Sequence, residues 1–146
     1  MNVLTDRETI LQHVKNFIGV LKQSARSSGG RLRRNGTAYL VDRSIVVTTP
    51  LEEPATPYRV VLVEISNSGA AFVTSHYLSA GTLVVMQLSG QHGVPARVSK
   101  CKRKGDECQV DLEFVLEYDH EVYLLADDAG QGRKRHAKGL LAWLMG

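Results

Sequence analysis

Cysteine is scarce in this chain. Cys101 and Cys108 are the two present, and no Cys or His pair stands at the spacing a four-ligand metal site needs. His13, His76, His92, His120 and His136 are scattered, and none lies beside a nucleophile motif or a second ligand. Ser66 and Ser68 lack the Gly-x-Ser-x-Gly elbow, and there is no Gly-x-x-x-x-Gly-Lys-Ser/Thr phosphate loop. No apolar run approaches the roughly 18 to 20 residues of a membrane span. Residues 1–7 show no basic region leading into a long apolar stretch, as a secretory leader requires. Aromatic residues make up 6% of the chain. Tyr39, Tyr58 and Phe72 are too few and too scattered for the stacking platform of a single-strand nucleic-acid binder. These absences predict a cytoplasmic binding module that is not an enzyme, has no metal or cofactor, spans no membrane and does not bind nucleic acid.

What is present suits one domain. The chain has 146 residues, 43% hydrophobic and 23% charged, with a formal net charge of +3. So mild an excess makes the placement of the arginines more informative than their number. Residues 1–28 read as an amphipathic helix. Ile10, Leu11, Val14, Phe17, Ile18 and Leu21 recur at three- and four-residue steps, and Gln12, Lys15, Asn16 and Gln23 take the other face. Thr5 and Glu8 supply a capping box ahead of the stripe, which runs to about Arg26. Ser27, Ser28, Gly29 and Gly30 end it, and Arg31, Leu32, Arg33 and Arg34 follow as a basic hinge.

The periodicity then changes to that of strands. Residues 29–118 carry six short candidates at 37–48, 58–65, 70–76, 82–88, 94–102 and 108–115, joined by Gly-containing turns. This pattern predicts a mainly β, six-stranded antiparallel barrel. The last two strands allow a register argument. Val94, Ala96 and Val98 share a parity with Cys108, Val110, Leu112 and Phe114, which a three-residue loop of Lys104, Gly105 and Asp106 preserves. That register turns Cys101 away from Cys108 and argues for two reduced thiols. Residues 119–146 read as a helical and basic tail. It has a helical turn at 121–126, a flexible link at 127–132, a basic cluster at Arg133, Lys134, Arg135 and His136, and an apolar patch at Leu140, Leu141, Trp143, Leu144 and Met145.

The most informative segment is the strand–turn–strand at 60–73, where Glu64, Ser66 and Gly69 stand at the spacing E-x-S-x-x-G. Ahead of the first strand stand Arg31, Arg33 and Arg34, and the barrel closes with Val94-Pro-Ala-Arg-Val98 and Val110-Asp-Leu-Glu-Phe114. In this order the sequence resembles the PilZ family, bacterial receptors for cyclic di-GMP. That family has an arginine-rich stretch before its first strand, an (Asp/Asn)-x-Ser-x-x-Gly turn after its second, and a closing hairpin with a Gly-x-x-Phe-like strand. The likeness covers roughly residues 30 to 116. Two departures stand out. No arginine pair here has the family's Arg-x-x-x-Arg spacing, and Glu64 replaces the Asp or Asn.

The resemblance implies a signalling module whose cyclic dinucleotide is held by Arg31, Arg33, Arg34, Glu64, Ser66, Asn67 and Gly69, and which regulates a protein partner by changing conformation. Family members lacking the motif residues keep the fold and lose the nucleotide. The alternative is therefore a PilZ-fold protein that does not bind nucleotide and acts as a protein–protein interaction adaptor. For it, Ile10, Val14, Phe17 and Leu21 offer a homodimer contact through the N-terminal helix.

Overall fold

The computed structural model describes residues 2–52, 55–117 and 119–131. The basic cluster at 133–136 and the apolar patch at 140–145 lie outside the described residues. The elements in order are β1 (Asn2–Val3), α1 (Arg7–Ser27), β2 (Arg34–Asn35), β3 (Ala38–Thr48), β4 (Tyr58–Ile65), β5 (Gly69–Thr74), β6 (Leu83–Gln87), β7 (His92–Lys104), β8 (Glu107–Phe114) and α2 (His120–Gln131). Among the described residues no helix is long and apolar enough to cross a membrane.

Six strands form a closed antiparallel barrel. They run in the order β7-β6-β3-β4-β5-β8, and β8 pairs back onto β7. Alternation explains why each strand faces as it does. In β8, Cys108, Val110, Leu112 and Phe114 are buried, while Glu107 and Glu113 are exposed and Gln109 and Asp111 are half-buried. In β4, Val60, Leu62 and Ile65 are buried, and the bulge between Leu62 and Glu64 brings Ile65 back to the inside. The short β2 extends β3 at one end, and β1 runs parallel to the start of β7. These two-residue strands carry no periodicity that a sequence could show.

Helix α1 packs on its own barrel. Ile10, Val14, Phe17, Ile18 and Leu21 are buried in one cluster with Leu62, Phe72, Met86 and Val110. The stripe, which the sequence left open between its own barrel and a second copy, is thus covered within the chain. The helix is capped by Asp6, whose carboxylate accepts from the Thr9 N–H at 3.0 Å and the Thr9 hydroxyl at 2.9 Å. The cap therefore lies one residue beyond the Thr5–Glu8 box. An ionised carboxylate is the stronger acceptor for the orphan N–H groups, and the Thr9 hydrogen bonds hold the Asp6 carboxyl below its ordinary range.

Three further expectations need correction. The β7–β8 hairpin closes on a two-residue turn, Gly105-Asp106, with Lys104 opposite Glu107 and Gly105 at φ +64°. Gly first with positive φ is the hairpin turn that matches strand twist. The slip this introduces is undone by an irregularity between Val98 and Lys100, which restores the apolar match of Val98 with Leu112. In the tip segment Cys101 lies opposite Val110 and Arg103 opposite Cys108, so the two thiols share a face. Both cysteines are free, Cys108 is buried, and burial pushes its thiol above the ordinary range. Finally, α2 continues through residues 127–131, where a flexible link was expected. Its start is fastened to the barrel by Arg97, which donates to Asp119 and, at 3.0 Å, to Glu121.

The seam between α1 and β7 carries a pH dependence. His13 and His92 meet edge to face with centroids 5.8 Å apart, and His13 Nε2 is buried without a hydrogen-bond partner among the described residues. Burial, and then the His92 charge, push His13 below its ordinary 6.5. Asp6 and Glu8 line the same cleft. A ring that stays neutral when folded takes up a proton more readily when unfolded. This contribution to stability is therefore fully present above the unfolded value of about 6.5 and is lost as pH falls from there through the lower folded value. The melting temperature should fall between about pH 7.5 and 5.5, and His13→Asn should flatten that slope. An unchanged slope in the variant would remove His13 as the cause.

Candidate functional site

The bend between β4 and β5 is held by its own serine. The Ser66 hydroxyl accepts from the N–H groups of Ser68 at 3.2 Å and Gly69 at 3.3 Å. The Ser66 N–H donates to the Gly69 carbonyl at 2.9 Å. A short hydroxyl at this place thus substitutes for a backbone acceptor in a tight turn. Gly69 is required for a different reason. Its φ is not positive, but a Cβ there would lie 2.1 Å from the Leu112 carbonyl oxygen of β8. The missing side chain admits the neighbouring backbone.

Outside this bend lies a shallow cleft of about 350 Å³, with Ala38, Glu64, Ser66, Ser68 and Asp111 in its lining. Strand register explains the grouping. Leu40 is opposite Glu64, Glu64 opposite Ala71, and Ala71 opposite Asp111, which puts this row on the outer face of β3, β4, β5 and β8. Carboxylates and hydroxyls beside turn amides make this an acceptor-rich surface.

The arginines reach this end of the barrel along β2. Arg34 pairs with Tyr39, Tyr39 with Ile65, and Ile65 leads into the bend. The Leu40 N–H donates to the Arg33 carbonyl at 2.8 Å, so the ladder extends one residue further. Alternation then divides the arginines. Arg33 falls opposite Leu40 and shares the outer face with Glu64, at two strand spacings or roughly 10 Å. Arg34 shares the inner face with Tyr39, which packs against the core.

Arg31 and Arg34 line a second cleft of about 290 Å³ with Lys22, Arg26, Leu32 and Tyr39. The Tyr39 ring has Lys22 Nζ 4.8 Å and Arg34 Cζ 5.1 Å from its centroid. A hydrogen bond from Lys22 holds the Tyr39 hydroxyl below its ordinary range. The seven residues expected to bind ligand therefore sit at one end of the barrel but on two faces. Glu64, Ser66 and Gly69 line the outer cleft, and Arg31 and Arg34 line the inner one. Arg33 and Asn67, both exposed, line neither cleft. Lys22, Arg26, Tyr39 and Asp111 were not foreseen. The helical spacing of Lys22 and Arg26 just before the Gly-Gly joint was a usable signal for two of them.

With the geometry in place, comparison with known proteins adds the following. The model of the PilZ domain matches residues 28–125. No match is found among curated proteins. Among solved structures, a K. pneumonia MrkH–c-di-GMP complex is 17% identical with a TM-score of 0.44, covering 79% of this chain and 54% of that one. E. coli YcgR in complex with c-di-GMP is 12% identical with a TM-score of 0.41, covering 77% and 50%. The chain thus spans about half the length of each.

Proposed function

The chain belongs to the PilZ domain family, and on that footing we propose that it is a cytoplasmic receptor for cyclic di-GMP, without catalytic activity, that changes conformation on binding and passes the change to a protein partner. What supports this reading is the register, in which Arg33 bonds to Leu40 and Leu40 lies opposite Glu64, at the end of the barrel that carries the Ser66 bend. Guanine offers donors on its N1/N2 edge and acceptors at O6 and N7. The Glu64 carboxylate suits the first edge, and an arginine suits the second or a phosphate oxygen. Glu64 reaches one methylene further than the Asp or Asn of the family motif, which moves the base outward without changing what the carboxylate accepts. Gly29 has φ +79°, a conformation open to glycine, and lies at the joint about which the arginine segment turns.

Calorimetry tests this directly. Cyclic di-GMP should bind the full chain at micromolar concentration. Arg33→Ala and Glu64→Ala should each weaken binding about tenfold or more, since each removes a charge-assisted hydrogen bond worth about 1.5–3 kcal/mol. Arg34→Ala and Ser66→Ala complete the series. A silent titration with folded protein at tens of micromolar ligand would sink the reading.

One observation favours a second reading. Ser66 and Gly69 both have structural work, the first closing the bend and the second admitting β8. The motif would therefore persist in a PilZ barrel that had given up its nucleotide and kept an adaptor role. A silent titration leaves that reading standing.

A further inference from the structure

We propose that helix α1 is itself part of the ligand site: Lys22 and Arg26, with Arg31 and Arg34, hold a phosphate whose base stacks on Tyr39. This rests on the receptor reading above and extends it to the whole inner cleft, of which that reading involves Arg34 alone.

Charge makes the first argument. Among the described residues four cations line the cleft and no carboxylate does. Both ion pairs among the described residues belong to Arg97, so none of the four is paired with a described carboxylate. Lys22 and Arg26 are four apart on one helix face, an arrangement that repels. The helix C-terminus compensates Arg26, which stands in the last turn. It does not reach Arg31 and Arg34 beyond the joint. A bound anion relieves all four at once, and two of the arginines offer the planar fork that matches phosphate oxygens.

The aromatic ring makes the second. Tyr39 packs against the core with Leu32 and holds Lys22 and Arg34 within 5.1 Å of its centroid. A base can stack on Tyr39 once Lys22 and Arg34, which lie over the ring in this structure, swing from it to the phosphate. Size limits the occupant. At about 290 Å³ the cleft lies at the small end of ligand sites. It suits one phosphate-and-base unit. That unit is either the second half of the dinucleotide on the outer face or part of a second molecule.

The consequence is a coupling route. The cleft spans the Gly29–Gly30 joint, with Lys22 and Arg26 on α1 and Arg34 and Tyr39 on β2 and β3. An occupant ties the end of the helix to the barrel, so ligand is felt by an element outside the β-structure.

The test compares the full chain with Lys22→Ala/Arg26→Ala by calorimetry with cyclic di-GMP, and follows amide exchange over residues 22–31. Wild type should bind, with slowed exchange in that segment. The double variant should lose that slowing, with unchanged circular dichroism. Affinity falling tenfold or more at equal stoichiometry identifies the occupant as the other half of one molecule. A drop from two ligands per chain to one identifies a second molecule. Should the alanine variant misfold, Lys22→Gln/Arg26→Gln replaces it. Equal binding and equal protection in wild type and variant overturn this inference and leave the receptor reading intact. No binding to wild type overturns both.

Discussion

A chain beginning at Ser28 is expected to lose its cooperative thermal transition. The truncation removes Ile10, Val14, Phe17, Ile18 and Leu21, which are 0, 0, 2, 5 and 8% exposed. Burying each such side chain is worth about 1.5–3 kcal/mol, so the five together contribute on the order of 10 kcal/mol. The whole stability of a domain this size is about 5–15 kcal/mol. The removal also uncovers Leu62, Phe72 and Val110, which share the cluster with the helix. Circular dichroism melting checks this, and a truncated barrel unfolding sharply within a few degrees of the full chain would refute it. The same burial bears on dimerisation. A dimer built through this stripe requires the helix to leave its own barrel, so deletion would abolish folding before it reported on association.

Gly69→Ala is the most damaging single substitution expected at the candidate site. The new Cβ would stand 2.1 Å from the Leu112 carbonyl oxygen and 3.3 Å from the Glu113 Cα, both backbone atoms in a paired strand. Neither moves without breaking the β5–β8 ladder, in which Gly69 pairs with Glu113 and Ala70 with Leu112. Overpacking of this kind costs about 3 kcal/mol. At roughly 2–4 °C per kcal/mol for a chain of this length, that is a fall of about 6–12 °C in melting temperature. Ser66→Ala removes an acceptor from two partly exposed N–H groups and should lower it far less. Comparable losses in the two variants would show that Gly69 is not wedged against β8. The distinction matters for binding assays, because a Gly69 variant that fails to bind reports on β8 and not on the ligand.

The barrel was legible in the sequence because its strands alternate. Residues 58–65 form β4 as expected, and the other five expected strands overlap β3, β5, β6, β7 and β8 to within about two residues at most ends. The amphipathic helix was legible for the same reason at a period of 3.6. What escaped was decided by single residues. The two-residue turn at Gly105 and the compensating slip near Ser99 cancel on the barrel side, so parity counting found the right match of Val98 with Leu112 and the wrong face for Cys101. The cap passed to Asp6 because a carboxylate one position further on competes better than the Thr5 hydroxyl. At the candidate site, sequence order brought the arginines and the serine bend to the same end of the barrel. It did not show that neighbouring residues of β2 face opposite ways, because Arg34–Asn35 is too short to display a period. Lys22 and Tyr39 met only through the packing of α1 on the barrel, a contact no local pattern encodes.

Closure of the six strands has a consequence for recognition. Each strand of the ring is bonded on both sides, and β1 and β2, the two remaining strands among those described, are two residues long. Where the ring is paired on both sides an incoming polypeptide finds no vacant amides and carbonyls; the tip of β7 at 100–104, which pairs with β8 alone, is the length left open to an added strand. Elsewhere on the ring whatever docks must read protruding side-chain chemistry, so point substitutions there should alter the choice of partner while the ring's own hydrogen bonding stays as it is.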